Sequence, residues 1–437
     1  MLLDCGMFQG LRELTERNWS PPPVAPKTLD AVLLSHAHLD HCGYLPALTQ
    51  QGFKGPVYCT PATAEVALLV LRDSAGLQED EAARAARHPE RGLHAKPLYT
   101  DDDVTDVSRL FKTLPYNTDG VIEGCHFRFV DAGHILGSAI MELSFAEGTL
   151  TFTGDLGRYG RPLLNDPTAV TQSDIVLCES TYGDRVHPPS DPQQDLGNAI
   201  NAAMARNGVL VLPAFAIGRT QEILYAIGQL QRASQIPSVD VYVDSPMGIE
   251  ANEIMARHPE AMRTNLRQLF GDDSTSMGAQ RVKLCQSVDE SKALNAIASK
   301  AIIISSSGMA SGGRILHHLR NRLPRPNDTI CFVGFLGPGT VGNALTHGAK
   351  RVKIMGVDVP ARAAIARIDG FSAHADRNEL LRWFGGFADK PDVYLVHADP
   401  AAAQSLAAAV RQQYGFNAQA ARQGQVVDIK RAGALTP

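Results

Sequence analysis

The sequence has no long apolar run, no closely paired cysteines and no large excess of charge of one sign, and each absence removes a class of protein. Its apolar stretches, such as "AVLL" at 31–34 and "AIII" at 301–304, are far shorter than the ~18 residues a membrane-spanning helix requires, so no membrane contact is expected. The seven cysteines (Cys5, Cys42, Cys59, Cys125, Cys178, Cys285 and Cys331) are odd in number, scattered and without a CxxC pair. That pattern argues against a disulfide framework and fits reduced thiols in a cytoplasmic protein. A formal net charge of −5 excludes a chain that coats a polyanion over its whole surface, so a nucleic acid would need a local basic patch. No basic n-region with an apolar stretch opens the chain, and no export signal is read. There is no internal repeat or low-complexity tract, and "SPPPVAP" at 20–26 is a short rigid loop.

What is present is an ordinary globular composition, 44% hydrophobic and 20% charged over 437 residues. That length exceeds one comfortable hydrophobic core, so two domains are expected. In the first part, "DAVLLSHAH", "GPVYCT", "HFRFVDAGH", "IMELSF", "TLTFTGD" and "DIVLCEST" each place polar residues where a strand-like apolar run stops. Loops at strand ends are where a layered α/β scaffold carries its chemistry. From about 190 the pattern becomes helix and strand alternation. "QQDLGNAINAAMARNG" predicts a helix closed by Gly208, "VLVLPAF" a buried strand, "GRTQEILYAIGQLQRAS" a second helix and "VDVYVDSP" the next strand, the signature of a parallel sheet. The first style returns in "ARIDGFSAHAD" and "DVYLVHADP", which predicts an inserted domain within a host that resumes at the C-terminal end.

The stretch "LLSHAHLDHCGYLP" at 33–46 crowds His36, His38, Asp40 and His41 at the mouth of a strand. A capped loop is a poor explanation for four potential ligands in six positions. His134 in "VDAGHILGS", Asp155 in "FTGDLG" and His397 in "YLVHADP" also end apolar runs. Each alone could be a satisfied loop residue; their common placement lets them converge at one sheet edge. Five histidines and two carboxylates suffice for two divalent ions of borderline softness, since imidazole suits zinc and a carboxylate can bridge.

"SHAHLDH", His134 and "TGD" resemble the metallo-β-lactamase fold. "CESTYGDR", "PAFAIGRTQE", "VDSPM", "SSSGMASGG", "DGFSAHAD" and "LVHADP" resemble, in order, the β-CASP branch of nucleic-acid-processing hydrolases, and the match runs over nearly the whole chain. The resemblance implies an α/β architecture: a metallo-β-lactamase αββα sandwich with an inserted β-CASP α/β domain, a parallel sheet flanked by helices. The implied division is 1–182 for the first part of the sandwich domain, 183–365 for the insert and 366–437 for the return. Members normally begin with a further pair of strands before the "LLDCG" segment, and their lack here would leave a sheet edge exposed.

By the same resemblance two Zn²⁺ are implied, one held by His36, His38 and His134 and the other by Asp40, His41 and His397, with Asp155 bridging. Asp4 would orient a ligand imidazole. Two such ions, two carboxylates and a bridging hydroxide leave about one net positive charge, a match for a phosphodiester. Asp40 and Asp155 would thus serve catalysis through the metals. His374 in "FSAHAD" is the implied general acid and Glu179 in "CESTYGD" its partner.

A histidine at the third β-CASP motif, here His397, goes with RNA substrates in the family. The implied activity is hydrolysis of single-stranded RNA, endonucleolytic, leaving 5′-phosphate and 3′-hydroxyl ends. Arg219, Ser306, Arg314, Lys350, Arg351 and Ser372 are candidates for RNA contacts, each phosphate contact making binding sensitive to salt, and a homodimer is implied. Two other classes stay open: a hydrolase of a small ester, thioester or lactam, and an inactive scaffold in RNA processing. The chain departs from the family pattern at Ala398 and Asp399, where "HADP" replaces "HGE", and at Met355 and Val357, where histidine and glutamate are frequent.

Overall fold

Cys125–Asp131 is a strand whose side chains alternate between the two faces, as a pleated backbone dictates. Phe127 and Phe129 point inward and are buried, while His126 and Arg128 face solvent. The inward set packs with Met141 and Leu143 of the neighbouring strand and with Ala31 and Leu33 of a second sheet. This computed structural model describes residues 1–10, 12–87, 94–263, 265–334, 336–337 and 339–429.

Two sheets therefore share one core. The smaller has four parallel strands in the order Leu2–Leu3, Val32–Leu33, Val57–Cys59, Phe111–Thr113, with Leu2–Leu3 at one edge. The larger has seven in the order Asn417–Ala420, Asp392–Val396, Ile175–Glu179, Thr149–Phe152, Ala139–Ser144, Cys125–Asp131, Asp119–Ile122. Its far face is covered by the helices Arg377–Phe384 and Pro400–Tyr414, through Trp383, Phe384, Leu406 and Val410. The Trp383 indole is fully buried and donates to the Thr168 carbonyl at 2.9 Å; truncating such a side chain costs about 3–5 kcal/mol. The first helix starts in a capping box: Asp376 accepts from Asn378 and Glu379 N–H while Glu379 accepts from Asp376 N–H.

The strand-rich reading of the first part missed one large element. Pro61–Arg87 is a helix of 27 residues that packs with the helix Asp101–Ser108 and the strand Phe111–Thr113, completing the αββα layering.

The described residues divide into two compact units, 1–186 with 261–263 and 374–437, and 187–260 with 264–373. The second unit holds a six-stranded parallel sheet in the order Val282–Leu284, Asp240–Asp244, Ala301–Ser305, Val209–Pro213, Thr329–Val333, Ala364–Ile368. Its core joins Val211, Ile303, Ile330 and Phe332 with Leu319 of the flanking helix Ile315–Arg322 and with Leu323 just past its end. The strand Ala364–Ile368 straddles the expected 365/366 boundary and belongs to this sheet, paired with Val333 at Ile368.

The helix expected to close at Gly208 ends earlier. It spans Pro192–Ala205, and the left-handed turn falls on Asn207 (φ 58°), a residue that tolerates this conformation better than most. The other elements expected here form as Val209–Pro213, Arg219–Arg232 and Asp240–Asp244. All seven cysteines are buried free thiols. No helix among the described residues is long and apolar enough to cross a membrane.

Candidate metal centre

Three neighbouring parallel strands of the larger sheet stop at the same edge. Val396 pairs with Glu179, and Phe152 with Leu177, so His397, Glu179 and Asp155 follow one another across that edge. Val32–Leu33 of the smaller sheet delivers Ser35 and His36 next to it, and His134 follows the strand Cys125–Asp131. The convergence is a consequence of register, because Glu179 is the last paired residue of its strand and the other side chains follow the last paired residues of theirs by one to three positions.

Seven donors meet there in two groups. In one, His36 Nε2 lies 3.0 Å from His38 Nδ1, His38 Nδ1 lies 3.3 Å from His134 Nε2, and both Nε2 atoms lie 3.4 Å from Asp155 Oδ2. In the other, His41 Nε2 is 3.3 Å from His397 Nε2, which is 3.4 Å from Asp40 Oδ2, and His41 Nε2 is 3.4 Å from Asp155 Oδ1. Asp155 thus presents one oxygen to each group. Both oxygens are buried without a hydrogen-bond partner among the described residues, a costly state for a carboxylate.

These spacings fit a cation at the centre of each group. Zinc–nitrogen bonds of 2.0–2.1 Å in a tetrahedron place neighbouring donors about 3.3–3.4 Å apart, and lone pairs aimed at one another need a positive charge between them. The protonation pattern agrees. Burial first, then neighbouring positive charge, pushes His36 and His134 well below the ordinary imidazole value, and His38 down to about 4, again chiefly by burial. Neutral imidazole is the ligating form. In the other group Asp155, opposing burial, raises His397 to about 9. Burial works against charge at His41 too, but Asp155 and Asp4 outweigh it and hold that ring well above its usual range. A bound ion would take the place of those protons.

Residues around the donors orient them. Asp4 Oδ2 accepts from His41 Nδ1 at 2.6 Å and from Ser35 Oγ at 2.7 Å, and Oδ1 accepts from Ser35 N–H at 2.6 Å. With its proton given to Asp4, Ser35 Oγ accepts from His36 Nδ1 at 3.0 Å. One carboxylate therefore sets the tautomer of two rings and leaves each Nε2 bare. Gly6 makes the approach possible: a Cβ there would lie 1.6 Å from the Asp40 carbonyl oxygen. Asp4 and His397 both have left-handed backbones, φ 56° and 58°, a conformation that costs a non-glycine residue on the order of 1–3 kcal/mol. Thr181 Oγ1 braces His397 at 3.2 Å from Nδ1. Ser35 and Thr181 were not singled out from the sequence; only their adjacency to His36 and Glu179 in the chain hinted at them. Asp399, in the departing "HADP" string, is the N-cap of the helix Pro400–Tyr414.

His374 Nδ1 lies 3.1 Å from Glu179 Oε1 and 3.9 Å from Asp155 Oδ2. Glu179 is fully buried and also accepts from Leu156 N–H at 2.8 Å and Thr181 N–H at 3.1 Å. Burial opposes a charge on His374, but Glu179 and then Asp155 outweigh it and raise its pKa. The His374 backbone is held by a bridge to Gly157 and by the Ala375 N–H donating to the Leu156 carbonyl at 2.8 Å. A side chain at Gly157 would collide with the Gly133 carbonyl, 1.8 Å from its Cβ.

The six residues expected to contact RNA all lie in the second unit. Arg314 donates to Asp244 at 2.7 Å and to the Cys285 and Gln286 carbonyls. Arg351 pairs with Asp358 at 2.6 Å, and Ser306 Oγ lies 2.5 Å from Ser245 Oγ. Arg219 is buried, 3.7 Å from Glu222 and over the Phe371 ring. Ser372 is buried and Lys350 exposed.

Comparison with known proteins places this geometry. Residues 1–211 match the metallo-beta-lactamase superfamily, 220–345 the Beta-Casp domain and 358–421 the Zn-dependent metallo-hydrolase RNA specificity domain. The chain is 34% identical over 403 residues to "Ribonuclease TTHA0252" of Thermus thermophilus, covering 91% of this chain and 88% of that one. It is 30% identical over 404 residues to "RNase J-like protein" of Methanocaldococcus jannaschii, covering 91% and 87%. It is 31% identical over 434 residues to "Transcription termination factor FttA" of Methanosarcina mazei, covering 94% of this chain but 65% of that longer protein. With the layered fold, the shared carboxylate and these matches together, the chain belongs to the metallo-β-lactamase superfamily, in the branch that carries a Beta-Casp domain.

Proposed function

We propose that this protein is a metal-dependent ribonuclease that hydrolyses phosphodiester bonds within single-stranded RNA and leaves 5′-phosphate and 3′-hydroxyl ends. The observation that carries the reading is Asp155, a buried carboxylate whose two oxygens have no hydrogen-bond partner among the described residues and each face a separate group of imidazole donors. His36, His38 and His134 would hold one zinc ion, Asp40, His41 and His397 a second, with Asp155 between them. A zinc pair supplies Lewis acidity toward a phosphoryl oxygen and a water of lowered pKa.

The protein's own groups supply the rest. Asp4 keeps the His41 and His36 rings in the ligating tautomer, so no reorganisation is needed when substrate arrives. Glu179 stabilises the His374 imidazolium and occupies its Nδ1, so Nε2 is the atom left to deliver a proton to the departing oxygen of the RNA chain. Contacts from Arg219, Ser306, Arg314, Lys350, Arg351 and Ser372 to the RNA backbone belong to the same proposal. So does a cytoplasmic location, supported by seven unpaired thiols. The names of the relatives, a ribonuclease and an RNase J-like protein, support RNA as the polymer. A homodimer belongs to the same proposal, and light scattering is expected to return twice the chain mass.

The test is to give zinc-loaded protein a circular single-stranded RNA and the matching circular DNA. Linear RNA bearing a 5′-phosphate is expected, with the DNA intact. An intact RNA circle beside rapid hydrolysis of a chromogenic ester overturns the proposal.

A further inference from the structure

His397 lines more than the metal cluster. It also stands at one end of a cleft of about 770 Å³ in the first unit, within the size range of small-ligand sites. The cleft lies at the carboxyl ends of the parallel strands Asp392–Val396 and Asn417–Ala420, where open α/β sheets bind ligands. One wall is the helix Pro400–Tyr414, whose Ala403, Gln404, Ala407 and Arg411 recur at three- and four-residue spacing and so share a face. The other wall is the segment that continues from the edge strand and carries Arg422.

Two guanidinium groups and no carboxylate line this cleft, in a chain whose net charge is −5. Arg411 is anchored, Nη1 donating to the Ala418 carbonyl at 2.5 Å. The Arg422 guanidinium is exposed and pairs with no group among the described residues. Ala403 and Ala407 are buried, and their small side chains are what leave the space. The lining thus combines cations for an anion with small apolar side chains and side-chain amides, and a positively charged groove of this kind is what tracks the backbone of a single-stranded nucleic acid.

We propose that this cleft is a nucleotide subsite, receiving the stretch of single-stranded RNA that flanks the phosphodiester held at the metal cluster. The proposal rests on the ribonuclease reading for the polymer's identity. Continuity at His397 favours the RNA chain over a separate small ligand, because a polymer bound at the cluster must leave it along the surface. Arg422 neutralises a backbone phosphate and Gln404 faces a base.

An oligoribonucleotide carrying 4-thiouridine, cross-linked to the zinc-loaded protein, is expected to label the peptides that contain Gln404 or Arg422; labelling only of other peptides overturns the proposal. Fluorescence anisotropy with the same RNA gives a second measure. Arg422→Glu is expected to weaken binding about tenfold and to reduce the salt slope by about one, and Gln404→Trp, which fills the cleft, to weaken it comparably. Lys112→Glu makes the same charge change on the exposed edge of the four-stranded sheet and is expected to leave affinity within about twofold. Equal losses in Lys112→Glu and Arg422→Glu, or wild-type affinity in both cleft variants, overturns the subsite. RNA that binds and cross-links in the cleft but is never cut removes the ribonuclease reading while leaving the subsite standing.

Discussion

His41 Nδ1 donates to Asp4 Oδ2 at 2.6 Å although 37 positions separate them in the chain. The same carboxylate receives Ser35, which in turn receives His36. One residue that contributes no donor to either group therefore governs the orientation of a ring in each.

Asp4→Asn is expected to weaken zinc binding about 10- to 100-fold, the usual effect of removing an orienting partner. An amide presents an N–H where a ring N–H must be accepted, so both tautomers are unsettled at once. Competition with a chromogenic chelator measures the loss. Unchanged affinity would show that Asp4 only shapes the backbone.

Removing the metal should cost stability as well as activity. Among the described residues the buried Asp155 oxygens have no hydrogen-bond partner, and an ion present at a thousandfold over its dissociation constant contributes about 4 kcal/mol. Scanning calorimetry before and after chelation is expected to show a fall in melting temperature that added zinc reverses. Asp155→Ala should melt at the same temperature with and without chelator.

His374→Ala is expected to lower the rate on RNA by about 10²- to 10⁴-fold, the range for loss of a general acid. Its zinc content should match wild type, since His374 belongs to neither donor group that contains His38 or His41. A phosphodiester with a p-nitrophenol leaving group, which departs without a proton, should be cleaved with a much smaller loss. A loss of equal size on both substrates would remove the acid role.

In the second unit, Asp244 is buried and accepts from His318 and Ser291 at 2.6 Å and from Arg314 at 2.7 Å. Burial by itself would raise its pKa, but those hydrogen bonds outweigh it and leave the carboxyl below the ordinary value. A folded value below the unfolded one, about 3.9, means that this group's stabilisation is complete at neutral pH and disappears as pH falls through the folded value. Asp244→Asn is expected to cost about 3–5 kcal/mol near pH 7, the effect of breaking a buried charge pair, and less in acid. Calorimetric melting between about pH 5 and pH 3 should fall more steeply for wild type than for the variant. Parallel slopes would exclude Asp244 as the source.

Much of the donor set is legible in the chain because four of the donors follow an apolar strand within three residues, and a strand's end is a local property. His36, His134, Asp155 and His397 could be picked out one run at a time. The long helix Pro61–Arg87 was not, because alanines and polar residues interleave along it and blur the apolar stripe that marks a helix. Ser35 and Thr181 were equally silent: a serine beside a histidine is unremarkable until Asp4 is brought within 2.7 Å of it.

Residue type and spacing alone determined which side chains can bind a metal, that strands alternate with helices in the second half, and that no long apolar span is present. The tertiary structure decided the rest: that one oxygen of Asp155 faces each donor group, that Glu179 meets His374 across 195 positions, and that a cleft opens behind His397. The reason is physical. Ligand chemistry and strand propensity reside in single residues and their neighbours, whereas a shared carboxylate, a tautomer or a cavity exists only once sheet register brings distant strand ends to the same edge.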